Sequence, residues 1–234
     1  MTSDTLTRID WKKVETDLDE TGSSVVPGLL DTRACAALRR SYDDDALFRS
    51  RVVMSRYGFG RGEYKYLSYP LPVAVEDLRA SLYPHLAPIA NRWETMLGRE
   101  PRFPKTHAAY LRICHAAGQV RPTPLLLRYG EGDYNCLHQD LYGEEVFPLQ
   151  VAILLSEPGR DFTGGEFVMT EQRPRMQSRV EVAPLTPGAG VIFAVNERPI
   201  QGSRGVYRVK MRHGVSRLRS GSRHTLGIIF HDAT

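Results

Sequence analysis

The 234-residue chain has three cysteines, no Cys-x-x-Cys pair and no apolar run near the roughly 18 to 20 residues needed to span a bilayer. Cys35, Cys114 and Cys136 are too few and too scattered for a disulfide framework or a structural zinc site, and are expected as reduced, buried thiols. The polar start, residues 1–20, lacks the apolar stretch of a signal peptide. The expectation is a cytoplasmic protein with no membrane partner. Acids are also missing locally: from Arg198 to His231 there are eight Arg or Lys and no Asp or Glu. Residues 1–50 instead hold ten acids against seven bases, so the net charge of +4 conceals a basic remainder. Such a stretch suits an anionic partner such as nucleic acid, and suits a plain solvated face equally well.

What is present fits one soluble domain, since single cores stop growing only near about 250 to 300 residues. Apolar residues make up 41% and charged residues 25%, an ordinary globular balance. Asp10 is placed to cap a helix carrying Trp11, Val14 and Leu18 and closed by Gly22. A short strand at 24–26 follows, and Asp31 caps a second helix with Ala34, Ala37 and Leu38 on one face. Residues 50–72 interleave aromatic and basic residues around Gly58, Gly60 and Gly62 and read as a hairpin. Residues 73–97 read as a helix interrupted at Pro84 and Pro88, and 105–117 as a shorter helix.

From Leu125 on, short apolar runs alternate with turn signals, as in an all-β barrel or sandwich. The expected strands are 125–129, 136–140, 149–155, 165–170, 179–182, 190–195, 206–213 and 223–231. The organisation is thus one domain: residues 1–124 as a helical and hairpin elaboration with a substrate lid at 50–72, and residues 125–234 as the catalytic β core.

His138-Gln139-Asp140 carries the chemistry. Positions i and i+2 of a strand face the same side and can share one metal ion. With 7 His and 13 Asp in the chain, one His-x-Asp arises by chance roughly 0.4 times, so the pair alone is weak. Its company matters more. In the strand 206–213, Tyr207, Val209, Met211 and His213 share a face, while Arg208, Lys210 and Arg212 take the other. Two inward histidines and a carboxylate match the facial triad that holds non-haem Fe(II) and leaves positions open. Arg223 shares a strand face with Thr225, Gly227, Ile229 and His231. An inward guanidinium is costly without a carboxylate partner, and 2-oxoglutarate would supply one. Taken alone, Arg223 reads better as an exposed strand end; beside the triad, the inward reading prevails.

His138, Asp140, His213 and an arginine ten residues later resemble the Fe(II)/2-oxoglutarate dioxygenases of the double-stranded β-helix superfamily. That resemblance implies a mainly β (α+β) fold, a cupin-like jelly-roll core with flanking helices. Arg128-Tyr129-Gly130 with Leu137-His138-Gln139-Asp140 is similar to the metal-binding segment of AlkB-type nucleic-acid demethylases, which implies a 2-oxoglutarate contact for Tyr129. Leu127 departs from that pattern, which has asparagine there. The ten-residue interval and Gly164-Gly165-Glu166 look more like prolyl 4-hydroxylases. From about residue 25 onward, including Phe59-Gly60-Arg61-Gly62-Glu63-Tyr64 and Pro148-Leu149-Gln150, the chain resembles bacterial oxygenases described as oxidative demethylases of damaged nucleic acid.

The resemblance implies His138, Asp140 and His213 as iron ligands, Arg223, Tyr129 and Thr225 around 2-oxoglutarate, and O2 as the other co-substrate. It also implies oxidative decarboxylation coupled to C–H hydroxylation, with formaldehyde lost when the carbon is an N-methyl group. For substrate, Arg56, Tyr57, Phe59, Arg61, Tyr64 and Tyr66 would let a lid stack an alkylated base in single-stranded or flipped-out nucleic acid. A hairpin packed on the core has the same composition. The alternatives are hydroxylation of a protein or peptide side chain, and a non-catalytic ligand-binding barrel. His85, His107, His115, His224 and His231 read as structural or surface residues, and Asp43-Asp44-Asp45 as a solvated turn.

Overall fold

The computed structural model describes residues 7–141 and 143–234; the first residues of the polar start, 1–6, lie outside the described residues. Asp10 accepts from the Lys13 amide to cap α1 (Trp11–Thr21), and Gly22, in the left-handed conformation at φ 81°, closes it onto the Leu18 carbonyl. β1 (Ser23–Val26) follows, and Asp31 caps α2 (Thr32–Ser41) through the Ala34 amide. The aromatic and basic stretch forms β2 (Phe48–Val53), β3 (Gly60–Arg61) and β4 (Glu63–Leu67).

α3 (Val73–Met96) runs through Pro84 and Pro88 without a break, where the proline pattern predicts interruption. Leu78, Leu82, Tyr83, Leu86 and Trp93 are all buried along it. Burying a large apolar side chain is worth about 1.5 to 3 kcal/mol, so together they offset a cost of roughly 3 kcal/mol per proline. α4 (His107–Ala116), capped by Thr106, stacks beside it, with Tyr83, Tyr110, Phe147 and Phe230 forming an aromatic cluster.

The rest is antiparallel β: β5 (Leu125–Tyr129), β6 (Tyr134–His138), β7 (Leu149–Leu154), β8 (Phe162–Gly164), β9 (Phe167–Gln172), β10 (Arg179–Ala183), β11 (Gly190–Ala194), β12 (Glu197–Gly202), β13 (Gly205–Val215), β14 (Leu218–Gly221) and β15 (Arg223–Ile228). A seven-stranded sheet runs β1-β11-β7-β15-β5-β4-β2; a second runs β10-β9-β13-β6-β3 with β12 added to β13; β14 pairs β8. Both large sheets therefore take strands from the first 70 residues. The stretch expected as a lid is pinned to both, through β4 on β5 and β3 on β6.

β8, β12 and β14 escape the sequence pattern. Each carries glycine, and β12 has Pro199 inside it, tolerated because β12 pairs on one side only. The strand around the first metal-ligand candidate spans 134–138 rather than 136–140, and the strand expected at 165–170 lies at 167–172. The last strand ends at Ile228, three residues short of His231. Cys136, on β6, is exposed and not buried. The Asp43-Asp44-Asp45 turn is tied down: Asp43 pairs Arg128, Asp44 caps Ala46 and Asp45 pairs Lys65. No helix among the described residues is long and apolar enough to cross a membrane.

Candidate active site

Between the two large sheets lies a cavity of about 270 Å³. His138, at the end of β6, and His213, on β13, are cross-strand partners, and their rings lie 4.2 Å apart between centroids. Asp140 sits just beyond β6, two residues after His138, and reaches the same side. Its two oxygens lie 3.4 Å from His138 Nε2 and 3.4 Å from His213 Nε2. The donor atoms of all three fall within 4.8 Å of one another. Gly214, next to His213, makes this approach possible: a Cβ there would meet the Asn135 carbonyl at 2.6 Å.

The tautomer of His138 is set by its surroundings. Its Nδ1 donates to the Cys136 carbonyl at 2.8 Å, which leaves the Nε2 lone pair facing the cluster. Burial disfavours charge on Asp140, but the hydrogen bonds and charge of His138 and His213 outweigh it and hold the carboxyl well below the usual carboxylate range. Burial also opposes protonation of both imidazoles. At His138 the Asp140 carboxylate outweighs burial and raises the pKa; at His213, wedged against Phe193 and Phe167, burial wins and lowers it. The cluster thus presents an ionised carboxylate and at least one neutral imidazole, as a divalent cation requires. The fit is with a borderline metal such as iron, through nitrogen and oxygen donors.

At the other end of the cavity Arg223 opens β15, 2% exposed. It donates to Thr225 Oγ1, its Nε has no partner, and no carboxylate among the described residues pairs with it. The Tyr129 hydroxyl is likewise buried, with the Asn135 side chain beside it, and the guanidinium carbon lies 5.7 Å from that ring. Burial lowers the Arg223 pKa to about 10, still far above neutrality, so the charge persists. Gly165, at φ 64°, lets the chain pass the Arg223 side chain: a Cβ there would meet its Cδ at 3.1 Å. A buried cation without a counter-charge costs several kcal/mol, and the bare Nε suits the carboxylate of a small ligand.

The Oxygenase-NA family model, described as an oxygenase catalysing oxidative methylation of damaged DNA, matches residues 62–233. The chain belongs to that family. An uncharacterized protein of Mycobacterium tuberculosis is 50% identical over 181 residues, covering 76% of this chain and 78% of its own. In fold the oxygenase is similar to a Pseudomonas putida prolyl-4-hydroxylase, at TM-score 0.55 and 14% identity over 96% of this chain and 99% of that one. It is also similar to an oxidoreductase of the 2OG-Fe(II) oxygenase family from Burkholderia pseudomallei, at TM-score 0.52 and 17% identity, with 97% and 94% covered. The mainly β jelly-roll architecture with flanking helices is therefore the one observed. With this family the protein is an oxygenase, and its His-Asp-His cluster is a set of donors that could hold a metal ion.

Of the aromatic and basic residues singled out in the sequence, Phe59, Tyr64 and Tyr66 line the cavity of the oxygenase. Arg56 and Tyr57 stand outside it, although Tyr57 stacks on Phe59 at 5.6 Å. Arg61 turns away to Asp133 at 3.6 Å. Sequence reasoning missed Asn135, Gln150, Phe167 and Phe193, which also form the wall. Only Gln150 leaves a signal, as the one polar residue within an otherwise apolar strand.

Proposed function

We propose that this oxygenase removes N-methyl groups from damaged bases in nucleic acid, with Fe(II) held by His138, Asp140 and His213. Arg223, Thr225 and Tyr129 receive the far carboxylate of 2-oxoglutarate. The observation that carries the reading is the pairing, in one cavity, of a three-donor cluster with a buried guanidinium that no carboxylate among the described residues pairs. Bound iron and 2-oxoglutarate supply the oxidation: O2 is consumed, 2-oxoglutarate leaves as succinate and CO2, and a substrate C–H bond becomes C–OH.

The chain's own residues orient and exclude. Asp140 stays ionised, His138 keeps its Nε2 free by donating through Nδ1, and Phe167 and Phe193 keep water from His213. Phe59, Tyr64 and Tyr66 offer ring faces on which a base would stack, a contact worth about 1 to 3 kcal/mol. On an N-methyl carbon the hydroxylated product collapses to formaldehyde and the free base. The family's description in terms of damaged DNA supports a base as substrate.

The test is formaldehyde release from single-stranded oligonucleotides bearing methylated bases, with Fe(II), 2-oxoglutarate and O2, run beside proline-containing peptides. Release from oligonucleotides with none hydroxylated among the peptides is the expected result. Peptide hydroxylation with inert oligonucleotides would sink the proposal in favour of a side-chain hydroxylase. Binding to oligonucleotides should weaken steeply with salt, because phosphate contacts release counterions.

A further inference from the structure

Gln150 is the polar group of the cavity that neither the metal cluster nor the carboxylate end explains. Among the other polar side chains of the wall, Asn135 sits beside the Tyr129 hydroxyl. His138, Asp140 and His213 form the cluster, and Arg223, Thr225 and Tyr129 form the opposite end. Gln139 spends its amide on the Asn196 carbonyl and side chain and on the Met211 carbonyl, at 3.1, 2.8 and 2.8 Å. Gln150 is 4% exposed, lines the cavity, and its Nε2 has no hydrogen-bond partner. A buried amide donor left without a partner is destabilising, so a chain that carries one in a cavity wall is set up for an external acceptor.

Its place in the sheet says which ligand that is. On β7, Gln150, Ala152 and Leu154 alternate onto one face. β15 alongside sets Thr225 opposite Leu154 and Gly227 opposite Ala152. The carboxylate-binding end therefore lies at Leu154, and Gln150 lies four residues away, about 13 Å along the strand. Between them Ala152 and Gly227 make a low floor, with room above it. On the other side Gln150 is the cross-strand neighbour of Phe193, whose ring centroid is 4.6 Å from that of His213. The amide thus sits one side chain away from the metal cluster, at the end remote from Arg223, and beneath the same cavity that Phe59, Tyr64 and Tyr66 wall.

We infer that the Gln150 side-chain amide donates a hydrogen bond to an acceptor on the edge of the substrate ring, and so determines which ring is accepted. This rests on reading the cavity as the site of a methylated base. A ring carbonyl or ring nitrogen is the acceptor class, and the aromatic walls supply stacking without selecting among bases, since every base has a π-face. The amide therefore carries the selection. A site built to hydrogen-bond its substrate rejects an analogue lacking the partner much more strongly than a purely apolar pocket does.

Gln150→Leu and Gln150→Glu test this, the second removing the donors while keeping a polar chain of similar length. The KM for a methylated oligonucleotide should rise at least about tenfold in both, with the order of preference among methylated bases altered. The KM for 2-oxoglutarate should shift by less than about twofold, because Arg223 is remote from the change. Melting of Gln150→Leu should match wild type or rise by about one to a few degrees, since a buried unpaired donor has been removed. An oligonucleotide KM and base preference left as in wild type overturn the inference. So does a Gln150→Leu protein that melts clearly below wild type, because the amide would then serve the fold. A wild type that leaves every methylated oligonucleotide intact sinks the base as substrate, and the melting comparison still decides whether this amide awaits a ligand.

Discussion

Two buried guanidinium groups lie along the same C-terminal segment, and they are treated in opposite ways. Arg79, 1% exposed, donates to the Ile229 and His231 carbonyls, to Tyr69 and to the Asp232 carboxylate at 2.8 Å. Asp232 is itself fully buried and also accepts from Tyr69 and His115. Arg223 is as deeply buried, six residues upstream of Ile229, yet has Thr225 as its hydrogen-bonding partner and a bare Nε. The first guanidinium is completed by the chain that folds around it. The second is left incomplete, and an incomplete buried cation is a request for a ligand.

The largest effect that would break this contrast concerns the cluster facing Arg223. Asp140→Ala removes the carboxylate that both imidazoles address and should lower substrate turnover on the order of 10³-fold or more, since the metal supplies several kcal/mol of rate enhancement. Formaldehyde release in a fixed-time assay reads it, and near-wild-type turnover would detach the cluster from the chemistry. Next comes a matched pair. Arg79→Leu strands Asp232 in the interior and should cost about 3 to 5 kcal/mol in urea unfolding. Arg223→Leu strands nothing the chain provides, so unfolding should be no easier than in wild type. Its KM for 2-oxoglutarate should instead rise about 100-fold, the loss of a charge-assisted bidentate contact worth roughly 2 to 3 kcal/mol. Equal destabilisation by both substitutions would erase the distinction between them.

The same distinction explains how much of the molecule was legible beforehand. The caps at Asp10 and Asp31 and the alternation of Val209, Met211 and His213 are local, and they read correctly because a cap or a strand face needs only its neighbours in sequence. His138 and Asp140 were paired by strand alternation, yet Asp140 lies past the strand end. The i, i+2 spacing still brings the two to one side, so the pairing stands although the ladder stops at His138. The unbroken α3 and the strand containing Pro199 escaped the reading because packing outweighed the local preference of proline. Gln150 was visible as a residue and mute as a site, because an unpaired donor is defined by which partners are absent in space. Arg56 and Arg61 had the composition of a binding surface, but direction is not written in composition, and neither lines the cavity.

Acid sharpens the comparison further, because the completed cluster is ringed by histidines held neutral. Burial lowers the pKa of His107 and of His231 from 6.5 to about 4 each. His107 Nε2 donates to the Phe230 carbonyl, and His231 Nδ1 accepts from the Phe147 amide at 3.2 Å, contacts made by the neutral rings. Between pH 6.5 and 4 the unfolded chain binds protons that the folded chain refuses, so stability is present above pH 6.5 and drains away as pH falls through that window. The loss is on the order of 2 to 3 kcal/mol per histidine. Asp232 adds to it in the same direction: burial opposes its charge, but Arg79 and its hydrogen bonds hold its pKa below the ordinary value, so protonation at lower pH also costs stability. Urea midpoints measured from pH 7.5 to 4.5 should fall, and a level midpoint would mean that the histidines are not held as described.

The smallest effect tests whether the cavity mouth is open to a flat substrate. Phe59 is 46% exposed and lines the cavity, so Phe59→Ala should barely alter stability while raising the oligonucleotide KM about fivefold, the low end of a single base-stacking contact. That increase should persist at high salt, because stacking is not screened. Arg208→Ala and Arg212→Ala, on the exposed face of β13, should weaken binding through phosphate contacts instead, and their effect should fade as salt is added. If the Phe59 effect also faded with salt, the ring would be acting through neighbouring charge and not as a stacking wall. The cavity mouth would then belong with the solvated surface.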